Sequence, residues 1–261
     1  MSNESVVILA GGQGTRLREE TEYRPKPMVN IGPWPILWHI MKSYSAYGHN
    51  NFVVCLGYKG EMIKDYFLNY RLMANDFTLS LDHRKVQIHN ERLKESRWKI
   101  TLADTGLKAM TGSRIKQIEP YVKGDLFLLT YGDGVANVNM KDLIKFHRSH
   151  GKIATVSGVM PPSRFGELIV KGDRVIEFGE KPQTHEGVIN GGYFVLDRRV
   201  FDYLSTDDDC IFERKPLEKL AQQGQLMMYP HKGFWQCMDT LRDMQLLNEL
   251  WERGEAPWKV W

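Results

Sequence analysis

The sequence predicts an α/β protein built on a mainly parallel sheet, and three observations lead to that prediction. Short apolar strands alternate with helices of amphipathic spacing over residues 1–160. Two of the buried strands end in glycine-rich loops, at residues 11–16 and 132–134. After Pro161 the chain changes to short strands separated by turns. Since alternating strands and helices form βαβ units, we expect a Rossmann-like, mainly parallel mixed sheet flanked by helices, with a small β-rich lobe.

The elements of the core follow from the spacing of apolar residues. Ser5 to Leu9 is a β-branched run that suits a strand buried on both faces. Pro35 is a favourable first-turn residue, and apolar residues at helical spacing follow it from Ile36 to Tyr44. The same criteria predict strands at Phe52 to Leu56, Leu126 to Thr130 and Ile153 to Val159, and helices at Met62 to Tyr70 and Met140 to His150.

The rest of the chain is predicted to form the lobe and a final helix. Short strands near Glu167, Val175 and Gly192 are assigned to a small mixed lobe folded over the sheet edge. Thr240 to Arg253 carries an apolar stripe and is assigned to a helix. Because neither a linker nor a repeat interrupts the sequence, we predict one domain, 1–261, with a core of about 1–160, a lobe of about 161–230 and a C-terminal segment of about 231–261.

The charge and cysteine content of the chain limit the classes of partner and compartment that we expect. The chain has 261 residues, with 35 Lys plus Arg against 32 Asp plus Glu, so its net charge is +3. That small excess argues against a nucleic-acid surface. Three distant cysteines without a C-x-x-C pair favour a reducing compartment over a disulfide scaffold. No apolar run is long enough for a signal peptide or a membrane span, so we expect a cytoplasmic protein with no membrane partner.

Gly11, Gly12 and Gly14 lie between the first predicted strand and a predicted helix, in a sequence suited to a phosphate cradle. Glycines permit positive φ and close backbone approach, so the loop N–H groups can point at an anion. The dinucleotide fingerprint fails because Leu17 stands where its third glycine belongs, and the P-loop pattern fails because Thr15 follows Gly14. The alternative is a turn that only reverses the chain.

Two cations accompany this loop and favour phosphate binding. Arg16 lies inside the loop, where its guanidinium suits bidentate contact with phosphate oxygens. Lys26 lies between Pro25 and Pro27, which stiffen the backbone on both sides of it. The alternative for Lys26 is an ordinary surface lysine in a proline-rich loop.

These residues, together with several later blocks, resemble the sugar-1-phosphate nucleotidyltransferase family. The signature is Leu9-Ala10-Gly11-Gly12-Gln13-Gly14-Thr15-Arg16-Leu17 followed by Pro25-Lys26-Pro27-Met28. The resemblance extends along nearly the whole chain, and the later blocks resemble the branch that transfers a cytidylyl group. Those blocks include Asp104-Thr105-Gly106, Tyr131-Gly132-Asp133-Gly134-Val135, Asn190-Gly191-Gly192, Met238-Asp239-Thr240-Leu241 and Ala256-Pro257-Trp258-Lys259.

The resemblance implies transfer of a cytidylyl group from CTP to α-D-glucose 1-phosphate, giving CDP-glucose and pyrophosphate for deoxysugar and O-antigen polysaccharide synthesis. It assigns catalysis to Arg16 and Lys26 and Mg²⁺ binding to Asp133 and Asp239. From the residues alone, Asp133 equally suits a turn and Asp239 a helix cap. The implied nucleotide contacts are Leu9, Ala10, Gly11, Gly12, Gln13, Gly14, Thr15, Arg16, Lys26, Ala109, Arg114 and Gly132.

The resemblance also implies contacts that select the sugar and the base. Those to the sugar are Glu180, Lys181, Asn190 and Gly191, whose alternative roles are an ion pair and a turn. Arg114 only donates hydrogen bonds, so it would donate to the O2 and N3 acceptors of cytosine and oppose the N3–H of uracil. The family's habit of self-association implies a homo-oligomer.

Two departures from the family pattern leave alternatives for the substrates. Gly32-Pro33-Trp34 replaces a more usual Gly-Gly-Lys, and Ala109 stands where the branch often has serine. The alternatives are a uridylyl- or thymidylyltransferase, transfer to another sugar 1-phosphate, and a non-catalytic nucleotide-sensing homologue. A nicotinamide dehydrogenase is disfavoured by the failed dinucleotide fingerprint.

The remaining prominent side chains are assigned structural roles. His147 and His150 are predicted to lie on a solvated helix face, and Cys55 in an inert core. The late tryptophans are predicted to pack either on their own domain or on another subunit, with self-association favouring the subunit; they are Trp251, Trp258 and Trp261.

Overall fold

The computed structural model describes residues 4–82, 85–89, 95, 97–161, 167–171, 174–179 and 187–261, without the side chains of 167–171 and 175–179. The strands are β1 (Ser5–Leu9), β2 (Asn30–Ile31), β3 (Trp34–Pro35), β4 (Asn51–Leu56), β5 (Asp76–Ser80), β6 (Lys85–His89), β7 (Lys99–Asp104), β8 (Leu126–Tyr131), β9 (Gly134–Ala136), β10 (Ala154–Val159), β11 (Glu167–Lys171), β12 (Arg174–Gly179), β13 (Ile189–Asp197), β14 (Leu226–His231) and β15 (Trp235–Cys237). The α-helices are α1 (Arg18–Thr21), α2 (Ile36–Ala46), α3 (Gly60–Met73), α4 (Thr111–Gln117), α5 (Met140–His150), α6 (Lys215–Gln222) and α7 (Leu241–Glu252).

A seven-stranded sheet with the order β14-β10-β13-β8-β1-β4-β7 forms the centre of the fold. Strand β1 is parallel to its neighbours β4 and β8, and β4 is parallel to β7. Strand β10 is parallel to β14, whereas β13 runs antiparallel to both β10 and β8. The predicted mainly parallel mixed sheet is confirmed.

Helices cover both faces of this sheet. Successive side chains of a strand point to opposite faces, and β1 divides accordingly: Val6 and Ile8 join one core, Val7 and Leu9 the other. Helices α2, α5 and α7 contribute to the first core, and α4 and α6 to the second. Burial of β1 on both faces is what its unbroken apolar run predicts.

The strand near Gly192 was assigned to the small lobe, and that assignment is wrong. It is β13, which lies inside the central sheet between β10 and β8. Its stretch from Tyr193 to Leu196 is almost fully buried, which explains why it pairs in the sheet despite the turn-rich sequence around it. Strands β11 and β12, near Glu167 and Val175, instead form a separate antiparallel pair.

The element after the glycine loop is shorter than the predicted helix. A 3-10 turn, Thr15–Leu17, leads into α1, which has only four residues. The first long helix is α2, which begins directly after Pro35 as predicted and is buried on nearly all sides. The loop N–H groups, rather than the dipole of a long helix, are therefore what this edge can offer to an anion.

Late tryptophans pack against α2 of the same chain. Trp258 is fully buried, and its indole Nε1–H donates to Nδ1 of His39 at 3.3 Å. Trp251 and Trp261 have ring centroids 4.7 and 6.1 Å from that of His39. Of the two predicted packing partners, the structure shows the parent domain.

The two histidines of α5 do not lie on a solvated face. His147 is buried, and Nδ1 of His147 and Nε2 of His150 lie 2.9 and 2.8 Å from Oγ1 of Thr155 on β10. Cys55 is buried as predicted, and burial raises the pKa of its thiol to about 12. Among the described residues, the helices are all too short or too polar to cross a bilayer.

Candidate active site

Two adjoining cavities open at the carboxyl ends of β1 and β8, the edge at which ligands bind in such sheets. The first has a volume of about 330 Å³ and is lined by the glycine loop, Lys26 and the start of α4. The second has a volume of about 310 Å³ and is lined by the start of β13 and by β15. Arg16, Tyr131 and Asp133 line both cavities, so they mark the place where two ligands would meet.

The glycine loop has a fixed shape. Gly14 has φ +63°, a left-handed backbone conformation that residues other than glycine rarely adopt. The hydroxyl of Thr21 donates to the carbonyl oxygen of Gly14 at 3.1 Å and holds the turn closed. A Cβ atom at Gly14 would lie 2.8 Å from Cγ2 of Thr21 and 3.1 Å from Cβ of Lys26. Gly14 therefore allows Lys26 to lie directly against the loop.

At the junction of the cavities, Lys26 lies between two carboxylates. Its Nζ atom is 2.7 Å from Oδ2 of Asp133 and 2.6 Å from Oδ1 of Asp239. Nη1 of Arg16 lies 2.7 Å from the other oxygen of Asp239, Oδ2. Lys26 and Asp239 are buried, whereas the Arg16 side chain is 72% exposed. The ammonium is thus fixed by two salt bridges, while the guanidinium is held at one end only.

Local structure explains how these distant residues come together. Lys26 is the first residue of a 3-10 helix, Lys26–Met28, that begins after Pro25. Asp133 lies in the turn between β8 and β9, and β9 pairs with β15, which ends two residues before Asp239. The N–H of Met238 donates to the carbonyl oxygen of Asp133 at 2.8 Å. The short β9–β15 ribbon therefore sets the separation of the two aspartates.

The capping alternative for Asp239 is wrong. Thr240 is the N-cap of α7, and its hydroxyl accepts from the N–H of Asp243 in a capping box. The N–H of Asp239 itself is bound by the Asp243 carboxylate at 3.1 Å. The side chain of Asp239 is thereby left to face Lys26 and Arg16.

The charges in this cluster stabilise one another. Burial alone lowers the pKa of Lys26, but the nearby carboxylates of Asp133 and Asp239 outweigh it, and the pKa is raised above its usual value. Burial raises the pKa of Asp239, but hydrogen bonding and attraction from Lys26, with a further contribution from Arg16, lower it overall. Lys26 and Asp239 are therefore both charged at neutral pH.

Arg114 packs against the glycine loop and donates a hydrogen bond to it. Its Nη1 donates to the carbonyl oxygen of Leu56 at 2.8 Å and to Oγ1 of Thr105 at 2.7 Å, and its Nη2 donates to the carbonyl oxygen of Gly11 at 3.1 Å. A Cβ atom at Gly11 would lie 2.2 Å from Nη1 of Arg114. Arg114 lines the first cavity, and its Nε–H has no acceptor in the described part of the chain. Arg114 therefore retains an N–H group that can donate a hydrogen bond to a ligand.

The second cavity contains two of the four predicted sugar contacts. Asn190 and Gly191 line it, and the indole of Trp235 donates to the carbonyl oxygen of Gly191 at 2.7 Å. Glu180 and Lys181 lie outside the described residues. Trp235 forms a wall of this cavity, and sequence reasoning assigned it no role although its aromatic character was a signal.

The first cavity contains nearly all of the predicted nucleotide contacts. Gln13 is the exception, because it is exposed and lines neither cavity. Sequence reasoning missed Thr111 and Tyr131, which line the first cavity, and Glu213 behind them. The predicted residues that do line it are Leu9, Ala10, Gly11, Gly12, Gly14, Thr15, Arg16, Lys26, Ala109, Arg114 and Gly132.

The two aspartates form a sparse set of oxygen ligands. Within the part of the chain that the structure describes, no group of three or more His, Cys, Asp or Glu side chains is placed to hold a metal ion. Mg²⁺ commonly takes one or two carboxylates and completes its shell with water and substrate phosphates. Asp133 and Asp239, held close together by one ammonium, fit that requirement.

Comparison with known proteins agrees with this fold and identifies the family. Residues 5–249 match the family model of the nucleotidyl transferases, and the chain belongs to that family. It is 52% identical to the glucose-1-phosphate cytidylyltransferase of Salmonella typhimurium over 256 residues, 98% of each chain. It is 47% identical to the probable glucose-1-phosphate cytidylyltransferase of Bacillus subtilis over 255 residues, 98% of this chain and 99% of the relative.

Among solved structures, that of the inositol-1-phosphate CTP transferase from T. maritima aligns with 97% of this chain and 98% of its own. The TM-score is 0.62 at 16% sequence identity, so this likeness concerns the fold.

Proposed function

We propose that the protein transfers a cytidylyl group from CTP to α-D-glucose 1-phosphate and releases CDP-glucose and pyrophosphate. The observation that carries this proposal is the meeting of two cavities at Arg16, Tyr131 and Asp133, beside Lys26. Two phosphorylated ligands, one in each cavity, would bring their phosphates together at that junction. The names of the relatives at 52% and 47% identity supply the nucleotide and the sugar.

The reaction requires positioning and charge neutralisation. An oxygen of the sugar phosphate forms a bond to the α-phosphorus of CTP, and the bond from that phosphorus to the β-phosphate oxygen breaks. Pyrophosphate leaves on the opposite side with the electron pair of the broken bond. Binding both substrates in line converts an encounter in solution into a reaction within one complex.

Fixed cations in the site suit this transfer. Loop N–H groups from Gly11 to Thr15 would hold the triphosphate, and Arg16 would grip it with a guanidinium free to move at its exposed end. Lys26 would contact both the attacking phosphate and the α-phosphate from its buried position. A positioned charge of this kind stabilises the transition state without reorganisation.

Asp133 and Asp239 would hold the divalent cation, which we propose to be Mg²⁺. When bound, the ion neutralises charge on the phosphate oxygens of the triphosphate. Lys26 contacts one oxygen of each aspartate, and Arg16 contacts the second oxygen of Asp239. Arg16 is the less buried of the two cations, so we expect it to release Asp239 and turn toward phosphate when substrates bind.

For selection of the substrates, we assign the base to Arg114 and the sugar to the second cavity. Arg114 offers donors, which suits the acceptors of cytosine. Asn190 and Gly191 line the sugar cavity, and the roles of Glu180 and Lys181 stay predictions from the sequence. Cytoplasmic location and supply of CDP-glucose to deoxysugar and O-antigen synthesis are likewise predictions.

We also propose that the chain forms a homo-oligomer. The β5–β6 hairpin carries exposed apolar side chains, among them Phe77, Leu79 and Leu81, with exposed Leu68 and Met73 on the neighbouring helix α3. Apolar patches of this kind are typical of surfaces covered by a partner. Light scattering at several protein concentrations measures the assembly directly.

A pyrophosphate-release assay with four nucleoside triphosphates and several sugar 1-phosphates tests the proposed reaction. We expect release with CTP and glucose 1-phosphate, dependence on a divalent cation, and much lower rates with UTP and dTTP. Release with UTP or dTTP alone would contradict the cytidylyl assignment. No release with any pair, by a folded protein that binds CTP, would favour a nucleotide-sensing homologue.

A further inference from the structure

A chain of hydrogen bonds connects the two cavities through residues that the reaction scheme above leaves unassigned. Thr111 lines the first cavity, and its hydroxyl donates to Oε2 of Glu213 at 2.5 Å. The hydroxyl of Tyr131, which lines both cavities, donates to Oε1 of Glu213 at 2.6 Å. Nδ2 of Asn190, in the second cavity, donates to the same tyrosine hydroxyl at 3.1 Å. The path therefore runs from Thr111 through Glu213 and Tyr131 to Asn190.

Each hydrogen bond along this path has a defined donor and acceptor. A tyrosine hydroxyl has one hydrogen, so Tyr131 must donate to the carboxylate and accept from Asn190. Oδ1 of Asn190 accepts from the N–H of Gly192 at 2.8 Å. Both ends of the Asn190 amide are thus fixed, and its orientation depends on Tyr131.

Packing leaves Tyr131 little freedom. Gly192 has φ +78°, and a Cβ atom there would lie 2.6 Å from Cδ2 of the Tyr131 ring. The ring also lies beside that of Phe194, with centroids 6.1 Å apart at an angle of 89°. The backbone of β13 therefore presses on the ring whose hydroxyl orients Asn190.

Glu213 lines neither cavity and is anchored to the start of α4. The N–H of Phe212 donates to Oγ1 of Thr111 at 2.9 Å, and the N–H of Ser113 donates to the carbonyl oxygen of Cys210 at 3.1 Å. Glu213 is thus fixed to the segment that bears the nucleotide contacts Ala109 and Arg114. Its carboxylate transmits the position of that segment to Tyr131.

We propose that Tyr131 and Glu213 are positioning residues for the sugar phosphate, and that they couple its binding to occupation of the nucleotide cavity. This inference rests on the proposed function, since it takes Asn190 to be a sugar contact. A ligand that fixes the start of α4 in one position also fixes the side chains of Glu213, Tyr131 and Asn190 through these hydrogen bonds. By thermodynamic linkage, the sugar phosphate then favours nucleotide binding by the same factor.

Steady-state kinetics of Tyr131→Phe and Glu213→Ala test the proposal, with pyrophosphate release as the readout. We expect the KM for glucose 1-phosphate to rise by about tenfold or more, because a hydrogen bond to a charged group is lost. The affinity for a non-hydrolysable CTP analogue measured without sugar phosphate, and the melting temperature, should change much less. Glu213→Gln keeps an acceptor for Tyr131 and should restore most of the sugar affinity.

Tyr203→Phe is the matched control, because the hydroxyl of Tyr203 donates to Oε1 of Gln223 at 2.6 Å outside both cavities. It should leave both KM values unchanged. An unchanged sugar KM in Tyr131→Phe and Glu213→Ala would overturn the proposal, and so would equal losses of affinity for glucose 1-phosphate and for a CTP analogue when each ligand is measured alone. Wild-type protein without activity toward CTP and glucose 1-phosphate would instead contradict the proposed function, so the two failures are distinguishable.

Titration calorimetry gives a second readout. Glucose 1-phosphate is titrated into wild-type and Tyr131→Phe protein with and without a non-hydrolysable CTP analogue. In the wild type the analogue should tighten sugar-phosphate binding, and in the variant this gain should be smaller. An equal gain in both proteins would contradict the coupling.

Discussion

Lys26 is the residue on which the proposed chemistry of the site depends most. The buried ammonium of Lys26 lies between two carboxylates, where water does not weaken its electrostatic interactions. Its two hydrogen bonds fix the position of Nζ. Arg16 shares Asp239 but lies mostly in solvent. Lys26 therefore supplies a fixed charge, and Arg16 a movable one.

Replacement of Lys26 tests that difference. Lys26→Ala should lower kcat by about 100-fold or more, because a preorganised charge is removed from the transition state. The pyrophosphate-release assay measures it. Lys42→Ala is a matched control, since Lys42 also has a mostly buried side chain and a carboxylate partner, Glu95, at 2.9 Å, away from both cavities. Near-native turnover in Lys26→Ala would remove Lys26 from the mechanism.

Arg114 has two tasks in this structure. It fixes the carbonyl oxygens of Gly11 and Leu56, and it keeps a donor that we propose contacts the base. Arg114→Ala should therefore lower the ratio of kcat/KM for CTP to that for UTP by about tenfold or more. Arg198→Ala, which removes a donor to the carbonyl oxygen of Val122 elsewhere, should leave that ratio unchanged. Full retention of the CTP preference in Arg114→Ala would refute base selection by this residue.

Among the elements, the glycine loop offers an internal comparison. Gly14 has positive φ, and a side chain there would press on Thr21 and Lys26, whereas a Cβ at Gly12 would meet nothing within 4 Å. Gly14→Ala should lower both the melting temperature and kcat, at a cost of about 1 kcal/mol or more in folding stability. Gly12→Ala should leave the melting temperature unchanged. Equal melting temperatures for the two variants would contradict the strained geometry of Gly14.

The elements also show which features a sequence predicts. Strand β1 and helix α5 have the predicted bounds, because each carries a clear periodicity of apolar residues. The β9–β15 ribbon is only three residues on each side, too short for any periodicity. It nevertheless brings Asp133 to Asp239, which only the family resemblance had placed together. The glycine loop was predictable from local spacing, whereas Tyr131 and Glu213 meet through long-range packing that no motif records.

At the scale of the whole molecule, buried neutral histidines make stability depend on pH. Burial lowers the pKa of His39 from 6.5 to about 4, and burial lowers that of His147 to about 4 as well. The folded state disfavours protonation, so this stability is present above pH 6.5 and is lost as the pH falls toward 4. His39 is the histidine that joins α2 to Trp258.

Urea unfolding at pH 7 and pH 5 measures this loss. We expect the free energy of unfolding to fall by about 2 kcal/mol from His39 alone, with a further loss from His147. The pKa of Asp239 is lowered from 3.8, so the stability that its charge contributes is lost only below that pH, outside the interval measured. An unfolding free energy that is the same at both pH values would contradict the neutral, buried state of these histidines.

One crystal structure, of the protein with CDP-glucose and Mg²⁺, tests the central claim most directly. The proposed function predicts the cytidine in the cavity beside Ala109 and Arg114, and the glucose beside Asn190 and Trp235. It also predicts that the diphosphate lies within hydrogen-bond distance of Lys26. A product molecule bound elsewhere, with both phosphorus atoms remote from Lys26 and Asp133, would contradict it.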